Sequence, residues 1–280
     1  MSYQTILVYL SDKRSIERVL KAAIALTIKS DAHLIGLHVA PVYHVYSTVA
    51  VDLTAEILES QSNALKVEAE VLKKIFEKMT NAASIKSEWR SIQVNSALVS
   101  EAVVNHARCT DVIVAAQPDP DHDNLNDTRV LEQLLIDSGR PVLLIPYIGV
   151  TEDFGKNITI AWNASRESAR ASHAALPLLK MADKVSVLWV NPQKEDGDAM
   201  DVPGSEIATC LSRHDVNVET DYSTTNLPEV GDEILSRVAD NDTDLLVMGA
   251  YGHSRLREFI FGGASRHMLK HMTVPVLMAH

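Results

Sequence analysis

Four glycines near the C-terminus have the spacing of residues that cradle an anion. Gly249 and Gly252 follow an apolar run, and Gly262 and Gly263 precede the helical-looking segment RHMLKHM. Glycine lets a backbone approach a ligand closely, and free N–H groups at a helix start present the positive end of the helix dipole. Ser265 adds a hydroxyl at the same place. The pattern indicates a phosphate site, although turns without any ligand also need glycine.

Strands must hold these glycines in place, and matching apolar runs recur in the same order in each half of the chain. The first half has TILVYL from Thr5, LIGLHVAP ending at Pro41, DVIVAA from Asp111 and RPVLLIP from Arg140; the second has NITIAW from Asn157, VSVLWVNP ending at Pro192, DLLVMGA from Asp244 and VPVLMAH from Val274. Four matched runs in one order indicate a duplication.

Amphipathic stretches such as Leu53–Met79 separate the apolar runs. This alternation predicts parallel βαβ units, and therefore an open, doubly wound α/β sheet with helices on both faces in each half. Ligands bind such sheets beyond the carboxyl ends of the strands, where the strand order reverses. The segment Tyr147–Lys156, with two glycines, separates the halves. We place the boundary near Val150, giving domains 1–150 and 151–280.

The composition excludes several classes of protein. Apolar residues make up 46% of the 280 residues and charged residues 22%, which is typical of a globular chain. A formal net charge of −11 argues against a nucleic-acid surface. Only two cysteines are present, Cys109 and Cys210, and no window reaches the roughly 20 apolar residues of a membrane span. With no basic, apolar leader at the start, we expect a cytoplasmic protein without a membrane partner.

The spacing Gly249-x-x-Gly252, then nine residues and Gly262, resembles the pattern of the universal stress protein family, and the resemblance extends over both halves as a tandem pair. The words ITIAWNASRESARA, VNP, DLLVMGAYGHSRL and VPVL support it. The resemblance implies two tandem open parallel five-stranded sheets of the Rossmann-like, adenine nucleotide alpha hydrolase-like kind. It also implies dimer-like pairing of the two domains, and it leaves a homodimer open.

For the nucleotide-binding branch of that family, the resemblance implies a site for ATP, ADP or AMP, bound with or without Mg²⁺. The adenine would lie against the ends of the first two strands, and the phosphates and ribose along the glycine loop. The matching residues here are Ala161, Trp162, Asn163 and Val190 for the adenine, and Met248, Gly249, Tyr251, Gly252, Gly262, Gly263, Ala264 and Ser265 for the rest.

Three residues depart from the family pattern. Asn163 stands where an acidic residue is usual, so a neutral amide replaces a carboxylate. Gly263 stands where Ser or Thr is usual, which keeps a backbone N–H and loses a hydroxyl. Trp162 is bulky beside the expected adenine pocket, where it either stacks on a base or fills the space.

The first half lacks the glycine motif. At the equivalent place it reads AAQPDPDHDNLNDT, whose aspartates repel phosphate and whose prolines lack backbone donors. We therefore expect no nucleotide there. The cluster Asp119, Asp121, His122 and Asp123 is interpreted as a solvated loop rather than a metal site, and the apolar Val42–Leu53 segment as packing rather than a pocket or dimer seam.

No residue set predicts catalysis or a resident metal. The His267 and His271 pair lacks the H-E-x-x-H motif, and neither Ser165 with Glu167 nor Cys210 with His214 has an orienting third group. No P-loop is present. The sequence predicts a stress-response module that binds a nucleotide, and the alternatives are a scaffold without nucleotide or, less favoured, a slow ATP hydrolase.

Overall fold

A computed structural model describes residues 2–42, 55–118, 125–149, 153–192, 202–225, 230–251 and 263–280. Several predicted features lie outside these ranges: Gly252, Gly262, the Asp119–Asp123 cluster, most of the Val42–Leu53 segment, and the boundary residue Val150. The two domain ranges proposed from the sequence therefore stay a prediction.

Within the described residues, the N-terminal half contributes five strands and four α-helices in alternation. In chain order they are β1 (Thr5–Tyr9), α1 (Ile16–Ser30), β2 (His33–Val42), α2 (Ala55–Ala82), β3 (Ser87–Asn95), α3 (Val99–Ala107), β4 (Val112–Ala116), α4 (Leu125–Asp137) and β5 (Val142–Ile145). A side chain holds the turn that leads into α1: Asp12 Oδ1 accepts hydrogen bonds from the backbone N–H groups of Arg14 and Ser15 at 2.6 and 3.0 Å.

The C-terminal half repeats this arrangement. Its elements are β6 (Asn157–Ala161), α5 (Arg166–Ala174), the short α6 (Leu176–Leu179), β7 (Lys184–Val190), α7 (Ser205–Ser212), β8 (Val218–Ser223), α8 (Val230–Asp240), β9 (Leu245–Gly249), α9 (Gly263–His271) and β10 (Val276–Ala279). Helix α5 is capped by Ser165, whose Oγ accepts from the Ser168 N–H at 3.2 Å.

Each half forms a five-stranded parallel sheet, which confirms the α/β fold with helices on both faces. The predicted pair of sheets is, however, joined into one ten-stranded sheet of order β3-β2-β1-β4-β5-β10-β9-β6-β7-β8. The junction is antiparallel, with Val142 opposite Met278 and Leu144 opposite Val276. Both strands are fully buried apolar runs, and such a run does not reveal its neighbour from sequence.

Two apolar layers cover the faces of this sheet. One contains Val8 and Ile160 under α1 and α5, and the other contains Leu7 and Met248 under α4 and α9. Each layer draws buried residues from both halves, so the halves share their core. No helix within the described ranges is long and apolar enough to cross a membrane.

The buried side chain of Gln117 makes two hydrogen bonds, one of which crosses to the C-terminal half. Its Nε2 donates to the Leu269 carbonyl at 3.0 Å, its Oε1 accepts from the Tyr147 N–H at 2.9 Å, and the residue is 1% exposed.

Replacing Gln117 by Ala removes both of these part-buried hydrogen bonds. We expect the free energy of unfolding in urea to fall by about 1–3 kcal/mol, because each hydrogen bond contributes about 0.5–1.5 kcal/mol. The control is Gln93→Ala on the exposed part of edge strand β3, where we expect a change within about 0.5 kcal/mol. Equal losses in the two variants would contradict the role of Gln117.

Candidate functional site

A cavity of about 270 Å³ opens at the carboxyl ends of β6 and β9. Strand β6 pairs with β7 on one side and β9 on the other, so the strand order reverses around it. Open α/β sheets bind ligands at such a crevice. The cavity therefore lies at the kind of crevice that this rule describes.

Nine of the twelve residues that the resemblance selects line this one cavity. They are Ala161, Trp162, Asn163, Val190, Met248, Gly249, Gly263, Ala264 and Ser265. Of the other three, Gly252 and Gly262 lie outside the described residues. Tyr251 does not line the cavity, but its backbone has a φ of 62° and its N–H donates to Ser265 Oγ at 3.2 Å. That bond ties the loop after β9 to the start of α9.

Five cavity residues are missing from the predicted set: Ser165, Glu167, Leu188, Val230 and Ile234. Leu188 was within reach of sequence reasoning, because it lies two residues before Val190 and so faces the same side of β7. Val230 and Ile234 share a face of α8 by their spacing of four residues, but nothing in the sequence places that face over β6 and β7.

The walls of the cavity are apolar on one side and polar on the other. Leu188, Met248 and Ile234 are buried and belong to the layer under α8 and α9. Trp162 packs against the opposite apolar layer and also lines the cavity. At least part of its role is therefore to fill space between the sheet and the helices on that face. The polar side carries Ser165, Asn163 and the N-terminal turn of α9.

Side-chain hydrogen bonds and ion pairs fix the helices that form these walls. The Ser223 hydroxyl donates to Glu233 Oε1, which fixes α8 to β8. His267 Nε2 lies 3.0 Å from Asp232 Oδ1 and joins α9 to α8, which gives this histidine a structural partner. The His267 and His271 rings lie 4.6 Å apart between centroids. Among the described residues, no group of three or more His, Cys, Asp or Glu could hold a metal ion.

Asn163 has a local structural role at the start of α5. Its Oδ1 accepts from the Ser165 N–H at 3.2 Å, which shapes the turn between β6 and the helix. The amide nitrogen remains as a donor, which the acidic residue usual in the family would not supply.

Glu167 is a buried carboxylate in the first turn of α5. Arg166 donates to its Oε1 from Nε at 2.9 Å and from Nη2 at 2.7 Å. Burial alone raises the pKa of the Glu167 carboxyl, but the hydrogen bond from its own backbone N–H and the Arg166 guanidinium outweigh burial and lower that pKa. Glu167 is therefore ionised at neutral pH.

The N-terminal half has a much smaller cavity at the equivalent place, of about 40 Å³. The Leu10 N–H bonds to Leu37 as the Trp162 N–H bonds to Leu188, so Tyr9 corresponds to Ala161. Tyr9 is 6% exposed and packs in the layer under α3 and α4. A tyrosine therefore occupies the space that alanine leaves open in the other half, a cause that the sequence analysis did not identify.

The strand order, the helices on both faces and the crevice at the switch point define a Rossmann-like α/β protein. The model of the universal stress protein family matches residues 155–280. Universal stress protein Slr1230 from Synechocystis sp. is 47% identical over 38 residues, which cover 14% of this chain and 13% of that relative's length.

Solved structures share the fold over the whole chain. A universal stress protein from Archaeoglobus fulgidus gives a TM-score of 0.68 at 16% identity, covering 98% of this chain and 97% of that one. A functionally unknown protein from Pseudomonas aeruginosa gives 0.58 at 15% identity, covering 99% and 92%. These identities show the shared fold alone. Residues 155–280 thus match the universal stress protein family, and the whole chain shares the fold of these solved structures.

Gly249 is required by packing as well as by the motif. A Cβ at Gly249 would lie 2.6 Å from the Ser168 backbone nitrogen and 2.7 Å from the Glu167 carbonyl carbon, whereas a Cβ at Gly263 would meet none of the described residues within 4 Å. The close approach of β9 to the start of α5 thus depends on Gly249.

We expect Gly249→Ala to lower the free energy of unfolding by about 1–3 kcal/mol, because backbone must shift to admit the methyl group. Gly263→Ala is the matched control, and we expect it to be neutral or to stabilise by a few tenths of a kcal/mol. Urea denaturation of the two variants measures the difference. A Gly249→Ala protein as stable as Gly263→Ala would show that the helix start can move away at no cost.

Proposed function

We propose that the C-terminal half binds one adenine nucleotide and that the chain acts as a nucleotide-responsive binding module in the stress response. The observation that carries this proposal is the cavity itself. It gathers the strand ends β6, β7 and β9 and the first turn of α9 around about 270 Å³ of space. That volume is close to the lower end of the range of small-molecule sites, about 300–1,000 Å³.

The chemistry of the lining suits the parts of a nucleotide. Leu188, Val190 and Ile234 offer an apolar surface of the kind that a purine ring requires. The α9 residues Gly263 and Ala264 present the positive end of a helix to a phosphate. Ser265 adds a hydroxyl, since an oxygen that accepts from Tyr251 can still donate its own proton. Whether Mg²⁺ accompanies the nucleotide stays a prediction.

The nucleotide content of the purified protein tests the proposal directly. We expect native mass spectrometry to find one adenine nucleotide per chain, either copurified or after ATP, ADP or AMP is added. A thermal shift that grows with nucleotide concentration should accompany it, because a ligand of the native state stabilises by mass action. No bound copy and no shift would favour the scaffold interpretation. Timed phosphate release measures any slow hydrolysis.

Ala161→Tyr tests the location by giving the second half the residue that fills the first. The phenol should occupy the cavity and abolish the thermal shift by nucleotide. The reverse replacement in the other half, Tyr9→Ala, is the control: it should lower stability by about 3–5 kcal/mol, as large aromatic truncations do, and leave one nucleotide per chain. Wild-type affinity in a folded Ala161→Tyr protein would place the nucleotide elsewhere.

A further inference from the structure

Glu167 is the one charged side chain among the described residues that line the cavity. The residue is 6% exposed, so its carboxylate is largely withdrawn from water. Arg166, its partner, keeps 59% of its side chain exposed and does not line the cavity. The cavity therefore contains a fixed negative charge whose compensating charge lies on the solvent side.

Groups of the protein already satisfy the N-terminus of α5. Ser165 Oγ accepts from the Ser168 N–H, and the Glu167 carboxylate lies in the first turn, where a helix favours negative charge. Little of this helix terminus is left to attract a ligand anion. At α9 the opposite holds, since no acidic residue lies in its first turn and a Cβ at Gly263 would meet no described residue within 4 Å.

These two helix starts differ in what they offer to phosphate. One phosphate at α9 gains the helix dipole and backbone donors, whereas every further negative charge brought into the cavity is repelled by Glu167. In a partly dehydrated site, this repulsion acts across several ångströms with less screening than in water.

We propose that Glu167 is a specificity-determining residue that selects a nucleotide of low negative charge, AMP over ATP. This inference rests on the proposed function and adds the class of ligand that the site prefers. Glu167 acts through its charge on the ligand and takes part in no bond-breaking step.

The experiment measures the dissociation constants of adenosine, AMP and ATP by calorimetry for wild-type protein and Glu167→Gln. The amide keeps the shape of the side chain and removes its charge. We expect the gain in affinity to grow with ligand charge: within about twofold for adenosine, intermediate for AMP, and about tenfold for ATP, the size expected of one unit charge in such a site. The control is Glu219→Gln on β8, which removes an equal charge from an exposed pair with Lys184 and should change no affinity.

A second variant keeps the test decisive if Glu167→Gln fails to fold. Arg166→Gln removes the compensating charge from an exposed position. The dissociation constant of ATP should therefore rise relative to that of adenosine. A wild-type preference for ATP, or equal changes for all three ligands in Glu167→Gln, would overturn the role of Glu167 while leaving nucleotide binding intact. If none of the three ligands binds wild-type protein, the proposed function itself fails, and this inference fails with it.

Discussion

The antiparallel pairing of β5 with β10 is the constraint on which the rest of the molecule depends. Each half ends on a four-residue apolar strand whose open edge would expose unpaired backbone groups, and pairing covers both edges at once. The two half-sheets become one surface, so helices from both halves cover shared apolar layers. The hydrogen bond from Gln117 to the Leu269 carbonyl of the far half then follows from where the end of β4 meets the end of α9.

Within each half, the central strand decides where a ligand could enter. The chain runs from β6 to β7 on one side and from β9 to β10 on the other side. The helices after β6 and β9 therefore lie on opposite faces of the sheet and leave a crevice at the carboxyl end of β6. The resulting crevice is shaped by close approaches rather than by loops alone. Gly249 admits the start of α5, and the His267 contact with Asp232 holds the walls formed by α8 and α9 together.

The sequence predicted the parts of the fold and candidate site that depend on local pattern. Runs such as TILVY and NITIA mark central strands because both faces are buried, and a glycine after DLLVM marks a close approach of backbone. What depends on packing between distant elements was not predictable: the partner of β5, the helix face that carries Ile234, and the second role of Gly249. Glu167 was noticed, but as a partner for a nucleophile, because a sequence does not show which side of a helix start faces a cavity.

The two halves differ in how far the space at the carboxyl end of the central strand is filled. Apolar surface that stays uncovered does not contribute the stabilisation that its burial would give, and the first half shows that this fold can fill the place with Tyr9. The open space beside Ala161 is therefore not imposed by the architecture. Because the apolar layers run through both halves, the filled half adds buried surface to a core that the open half shares. A duplicated chain can thus keep an open cavity in one half while the other half contributes packing that offsets its cost.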